Sequence, residues 1–438
     1  MLTDLRDGRA GAALYPGDEG WGDDPPVYVP PGDPAVIVRP ESTAQIAAAL
    51  RFAAEEGIGV AIRSGGHGGR LFDNDGGLVI ELHRTFSRIE VDGTTLRVGP
   101  GAIWGDVARA LAAHGLGLSS GDTKDVGVGG LALGGGVGWL VRRDGLTIDS
   151  LLEATVVLPT GDVVTASASE HPDLFWALRG GGGNFGVVTE FVFQAHPLDG
   201  VVLGTVQYDS DAVAPVLRGW RDVMREAPEE LNASFLAMPA MGPAMPAATS
   251  ITLVWPGRDT AAVEPWLERL RAIPGHLSDE LKAVDYVDVL EDAGQFDGPT
   301  PTIVGANGFA ADLSDEAVEA MAAAHADIGG VLMVRYLRGA YSRVPADATA
   351  WGARDAEALV MVAAFLPPDA DAASQDAVRA KWDAARAFTT GTYGNFADGV
   401  GDAVVELMYP PATLERLREV KRRYDPHNLL RRNQNVRP

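Results

Sequence analysis

The chain has 438 residues, 46% of them hydrophobic, a formal net charge of −24 and no cysteine. That length and apolar content support a large buried core spread over two or three domains, and the missing thiols exclude a disulfide framework, a thiolate metal site and a cysteine nucleophile. The carboxylate excess repels nucleic-acid phosphates and anionic lipid, so neither nucleic acid nor a membrane is expected as a partner, and the charge reads as a source of solubility.

The beginning, MLTDLRDGRAG, lacks a basic segment leading into an apolar one, and no apolar run of about 18 residues occurs. A cytoplasmic location is expected. After a proline-rich opening, Ser42 or Thr43 is placed to cap a helix that carries Ile46, Leu50, Ala53 and Ala54 on one face. The strand VAIRS then runs into RSGGHGG, Arg63 to Gly69, where glycines allow positive φ and close approach to a ligand. GGLVIEL, RIEVD and TLRVGPG read as strands, and IWGDVARALAAHG as a second amphipathic helix built on Ile103, Val107, Ala110 and Leu111. Gly117 to Gly138 is so rich in glycine that a long loop is expected, and such loops inside compact domains are usually functional. LLEATVVLPTGDVVTAS reads as a strand pair, HPDLFWALRG as a short helix and GVVTEFVFQAHP as a further strand.

Beyond Pro197 glycine thins, and strand patterns (VVLGTVQYD, LNASFLAMP, ITLVWPG, VLMVRYLRGAYSRV, ALVMVAAFL) alternate with helical ones. This predicts a second domain with one broad sheet backed by helices. The closing stretch ATLERLREVKRRYDP places Leu414, Leu417, Val420 and Tyr424 on one helical face.

Two glycine loops, Arg63 to Gly69 and Gly121 to Gly138, suit a large phosphate-containing cofactor, because backbone amides in such loops approach a diphosphate without side-chain bulk. GGGNFG, Gly181 to Gly186, matches the spacing of a dinucleotide fingerprint but has its helix before and its strand after, the reverse of the required order, so it reads as a tight turn. The eight histidines form no i, i+4 pair, and no metal site is expected.

RSGGHGG, DNDGGLVIEL, LRVGPGAIWGDVARAL, GVGGLALGGGVGWLVRRDGLTIDSLLEATVVLPTGDVV, HPDLFWALRGGGGNFGVVTEF and YDPHNLLRRNQNVRP together resemble the berberine bridge enzyme-like group of FAD-linked oxidases within the vanillyl-alcohol oxidase superfamily. The resemblance spans about residues 30 to 198 and from about 391 to the end. It implies an α+β fold: a PCMH-type two-lobed FAD-binding domain over 1–198, a substrate domain over 199–390 with a large antiparallel sheet backed by helices, and a segment 391–438 returning to the FAD domain.

It further implies FAD bonded through the ring of His67. Arg63, Ser64, Gly65, Gly66, Gly68, Gly121, Thr123, Val126, Gly127, Gly129, Gly130, Gly135, Gly136, Val187, Asn395, Asn433 and Asn435 would be its other contacts. Many relatives carry a second bond from a cysteine in this loop; here GDTKDVG puts Thr123 at that position, so one bond is expected, as in members similar to 6-hydroxynicotine oxidase. Val126 stands where fast oxygen-reacting members carry a small residue, although a valine that packs the loop explains it equally well. TYGNF resembles the Tyr-x-Asn motif, which makes Tyr393 the expected base, provided a neighbour lowers its pKa. A strand carboxylate, used by plant members, has no counterpart in the apolar ALVMVAAFL. Tyr336, Arg338 and Tyr341, with Tyr286, are the expected substrate contacts.

The expected activity is oxidation of a C–H next to oxygen or nitrogen in a small organic substrate (alcohol, sugar, amine or secondary-metabolite intermediate), with O2 reoxidising the flavin to give H2O2, by a monomer or homodimer. The alternatives are a dehydrogenase using another acceptor, or a binding protein that has lost its redox chemistry.

Overall fold

The computed structural model describes residues 4–21, 33–68, 76–242, 245–292, 301–397 and 399–438. Gly69, the last residue of RSGGHGG, lies outside them. The first lobe is a four-stranded sheet in the order Ala12–Leu14, Val36–Arg39, Leu78–Glu81, Val60–Arg63. Its last three strands are parallel. Parallel strands are covered on both faces, which is why they read as short unbroken apolar runs. The crossover helix Thr43–Glu56 is capped by the Ser42 side chain, which accepts from the Gln45 amide, and ends at Gly57 with φ 69°.

The second lobe is an antiparallel five-stranded sheet, ordered Ile89–Asp92, Thr95–Val98, Val187–Gln194, Leu151–Val157, Val163–Ser167. The helices Trp104–Ala112, Pro172–Leu178 and Pro411–Tyr424 share its core, and Leu414, Leu417, Val420 and Tyr424 of the last one point into it. The glycine-rich stretch expected to be all loop contains a helix, Val128–Gly134. Glycine disfavours a helix by about 1 kcal/mol per residue, but Val128, Leu131 and Ala132 bury enough surface in this core to outweigh that cost.

Residues 201–366 supply a seven-stranded antiparallel sheet, ordered His276–Val284, Val201–Tyr208, Ala248–Pro256, Asn232–Met238, Val331–Tyr336, Ala358–Leu366, Thr302–Ala310. Helices, including Val213–Glu226 and Asp315–Ile328, cover one face, with Trp220 and Phe235 fully buried between the layers. Burial of each such side chain contributes about 1.5–3 kcal/mol. Two strands carry no clear sequence signal. His276–Val284 is an edge strand whose residues are mostly solvated, and Thr302–Ala310 is interrupted by Gly305 and Gly308, the latter packed against Thr389. Among the described residues no helix is long and apolar enough to cross a membrane, and no cluster of three or more His, Asp or Glu could hold a metal ion.

Candidate active site

The strand Val60–Arg63 ends at one mouth of a cleft of about 1560 Å3, measured out to its opening. The loop that follows lies back to back with the second glycine loop. A Cβ on Gly65 would sit 2.6 Å from the Gly127 amide nitrogen, and one on Gly127 would come closer still to that of Gly65. No side chain fits at this junction. Gly129 is similarly closed off by Ser64 and Pro100, whereas Gly130 has open space before it and lines the cleft.

The C-terminal segment reaches the same cleft through a buried anchor. Lys421 donates to the carbonyls of Asn184 and Leu430 and to Asp425 at 2.7 Å, with neither charged side chain more than 1% exposed. This holds Arg432, Asn433 and Gln434 on the cleft wall beside the Gly181–Gly183 turn, where Asn433 donates to the Gly183 carbonyl at 3.0 Å. Beneath the first loop, buried Glu81 accepts from Arg39 at 2.6 Å and from Arg63 at 3.3 Å, fixing the arginine that opens the motif.

His67 and Tyr393 line the cleft with Asp122. Burial lowers the His67 pKa from its ordinary value, against the opposing pull of the Asp122 and Asp125 carboxylates, so the ring is neutral at neutral pH. The Tyr393 hydroxyl accepts from the Gly136 amide at 3.2 Å and the Asn395 amide at 2.9 Å. Its backbone is held by Asn307, whose Oδ1 accepts from the Tyr393 N–H at 2.6 Å. Trp351 and Phe396 pack edge-on against its ring at 5.1 and 5.0 Å. Despite two donors, burial pushes the phenol up to about 12. The lowered pKa expected of Tyr393 as a base is therefore not found, and the residue stands as a proton donor.

Of the residues anticipated from sequence, Arg63, Ser64, Gly65, Gly66, His67, Gly68, Gly121, Val126, Gly127, Gly129, Gly130, Tyr393, Asn395 and Asn433 are brought together along the cleft. Others stand behind it. Thr123 is bridged to Glu291 and donates to Asp122, Gly135 abuts Trp351, Gly136 supports Tyr393, and Asn435 lies just past the lining residues. Val187 is wholly buried in the first-lobe core, with Gly186 and Val188 facing the cleft instead.

The expected substrate contacts need correction. Side chains alternate along a strand, and Leu332, Val334 and Tyr336 form the parity buried under the helices, Tyr336 against Trp220 at 6.1 Å. Met333 and Arg335 take the other face. Arg338 has left the strand at φ 62° and donates to the Ala311 carbonyl. Tyr341 sits in the short helix Ala340–Arg343 behind Trp351, its hydroxyl bonded to the Ala353 carbonyl and the Trp351 indole. Tyr286 is buried among Trp139, Val201 and Val254. Sequence reasoning also missed the Gly181–Gly186 turn as cleft wall, and Asp122, Arg432 and Gln434 as lining. Each had a neighbouring signal: Asp122 adjoins Thr123, Arg432 and Gln434 flank Asn433, and Gly186 adjoins Val187.

Glycine loops, open glycines and the buried Asn433 Oδ1 and Gln434 Oε1, which find no partner among the described residues, fit a dinucleotide held along its length. Such a site defines a dinucleotide-binding protein. Residues 34–167 match the FAD binding domain family and residues 392–437 the berberine and berberine-like family. The chain is 32% identical to (R)-6-hydroxynicotine oxidase of Paenarthrobacter nicotinovorans, covering 98% of this chain and 97% of that protein. It is 31% identical to chitooligosaccharide oxidase of Gibberella zeae over 96% and 91% of the two chains. A solved glucooligosaccharide oxidase from Acremonium strictum, described as carrying 6-S-cysteinyl, 8α-N1-histidyl FAD, superimposes with a TM-score of 0.82 at 26% identity over 98% and 97%. The chain belongs to the berberine bridge enzyme-like FAD-linked oxidases, and is an FAD-dependent oxidase acting on small organic substrates.

Proposed function

We propose that FAD is attached by one covalent bond, from the His67 imidazole to the 8α carbon of the flavin, and that the enzyme oxidises a carbon bearing oxygen or nitrogen, with O2 as the acceptor and H2O2 as product. The observation that carries the reading is a neutral His67 on the glycine loop that backs directly onto Gly127, in the cleft that Tyr393 closes. A neutral ring has the lone pair that flavin attachment requires. The second bond described for the Acremonium strictum relative needs a cysteine, and this sequence contains none.

When bound, the flavin supplies two-electron redox chemistry. The chain's own residues do the rest. Backbone amides of both loops, with Arg63, Asn433 and Gln434, grip and orient the cofactor. Tyr393, held protonated and fixed by Asn307 and Trp351, donates to the substrate heteroatom and sets its angle. Val126 flanks Gly127 on the cleft wall.

The test is His67→Ala beside wild type. Acid-precipitated wild type is expected to stay yellow and the variant to turn colourless, while wild type consumes O2 with at least one of 6-hydroxynicotine, a chitooligosaccharide or a xylooligosaccharide. A variant that keeps acid-stable flavin contradicts the attachment. Anaerobic flavin bleaching by a substrate with no oxygen uptake contradicts the acceptor.

A further inference from the structure

The substrate proton needs an acceptor, and the cleft offers few. Among the described lining residues, the ionisable side chains are Arg63, His67, Asp122, Tyr393, Tyr409 and Arg432. Arginine has no acceptor lone pair. His67 is committed to the flavin under the reading above, on which this inference rests. Tyr393 already accepts two hydrogen bonds, and the Tyr409 hydroxyl is spent on the Gly180 carbonyl at 3.1 Å. The strand Ala358–Leu366 supplies no carboxylate either: its parity away from the helices is Leu359, Met361, Ala363 and Phe365.

Asp122 remains. It lines the same cleft as His67 and Tyr393, and its side chain is 30% exposed. Its placement is enforced from the seven-stranded sheet. Arg335 donates to Asp122 Oδ2 at 3.1 Å through Nη2 and to Ser234 Oγ at 2.9 Å through Nε, with its guanidinium 4.7 Å from the Trp139 ring centre. A hydroxyl from Thr123 meets the other oxygen, Oδ1, at 3.3 Å. The pair thus links the flavin loop to the substrate sheet at one fixed point.

We propose that Asp122 is the catalytic carboxylate of this enzyme and that Arg335 is its positioning residue. As the substrate C–H bond breaks and its electron pair leaves with the hydrogen for FAD, the O–H or N–H proton passes to an Asp122 oxygen, and the C=O or C=N bond forms. The substrate loses two electrons and the flavin gains them. On reoxidation, the hydrogen carried to the flavin and the proton held by Asp122 are the two hydrogens of H2O2.

Three variants test this, each first checked for flavin colour and for the mass adduct on the His67 peptide. Sodium sulfite, an anion that adds to oxidised flavin and bleaches it, is the substrate-independent probe. Asp122→Asn is expected to keep the adduct, to bind sulfite about tenfold more tightly once the negative charge is gone, and to reduce its flavin roughly 100-fold more slowly with the best substrate of the panel, with KM little changed. Asp122→Glu is expected to recover part of that rate. Arg335→Met, on the strand Val331–Tyr336, should weaken sulfite binding and slow reduction, and it serves alone if the Asn variant does not load flavin. Wild-type sulfite affinity and reduction rate in Asp122→Asn, or in Arg335→Met when that arm stands alone, overturn the proposal. A wild-type protein that carries no flavin overturns the cofactor reading instead.

Discussion

On the cofactor side of the cleft the wall is backbone: Gly65, Gly127 and Gly130 leave amides facing inward, and a methyl group at the first two would strike the opposing loop. The neighbouring seven-stranded sheet instead presents every second side chain of a strand on the face away from its helices, such as Met333 and Arg335 of Val331–Tyr336, and Arg335 reaches the cleft residue Asp122. The difference teaches where tolerance lies. A wall made of close backbone contacts has no slack, because interiors are packed to crystal-like density. A wall made of strand side chains can exchange members while the sheet hydrogen bonds stay intact.

Breaking the anchor of the rigid wall is expected to have the largest effect. Lys421→Met removes a buried cation and strands Asp425 without its partner, a loss of about 3–5 kcal/mol that should appear as a large fall in melting temperature with release of the C-terminal segment to protease. Gly127→Ala follows. Its Cβ must push aside the Gly65 backbone, at a cost of about 1–3 kcal/mol, and flavin incorporation measured by absorbance should drop with it.

Tyr393→Phe takes away the acceptor for the Gly136 and Asn395 donors. Flavin content should remain, while flavin reduction by substrate slows by about 10–100-fold; a wild-type rate would show that the phenol takes no part. The lowered His67 pKa sharpens the comparison by pH. Since the neutral ring is the reactive form and its folded pKa lies below the ordinary 6.5, covalent incorporation of FAD into apoprotein should keep its plateau rate to lower pH than a free imidazole allows and fall only below that. A rate that already declines on approaching pH 6.5 from above would contradict the burial argument. The smallest effect is expected for Tyr336→Phe, on the helix-covered parity: KM for the best substrate should be unchanged, and a large rise would return Tyr336 to the site.

The same contrast governs what the sequence could disclose. Glycines that must be glycine leave a spaced pattern in the chain, so the loops around His67 and Gly127 and the segment ending in Asn433 were legible before any fold was known. The sheet wall left no such trace. VLMVRY is apolar on both parities except at Arg335 and Tyr336, and neighbouring residues point to opposite faces, so the choice between them depends on which side the helices cover. Thr123 drew notice through the missing cysteine, yet the cleft belongs to Asp122, whose partner Arg335 lies 213 residues away. Gly181–Gly186 was correctly read as a turn between helix and strand, but a turn's exposure to a cleft is decided by the C-terminal segment packed across from it. Val187 and Val188 differ by one step of strand alternation, and only the packing of two sheets distinguishes them.

Single attachment of the cofactor is tested most directly by tandem mass spectrometry of peptides from the native holoenzyme. The spectrum should show one FAD-sized adduct, on the histidine of the RSGGHGG peptide, with the GDTKDVG peptide unmodified. Tightly bound FAD with an unmodified histidine peptide, or an adduct on any other residue, would contradict it.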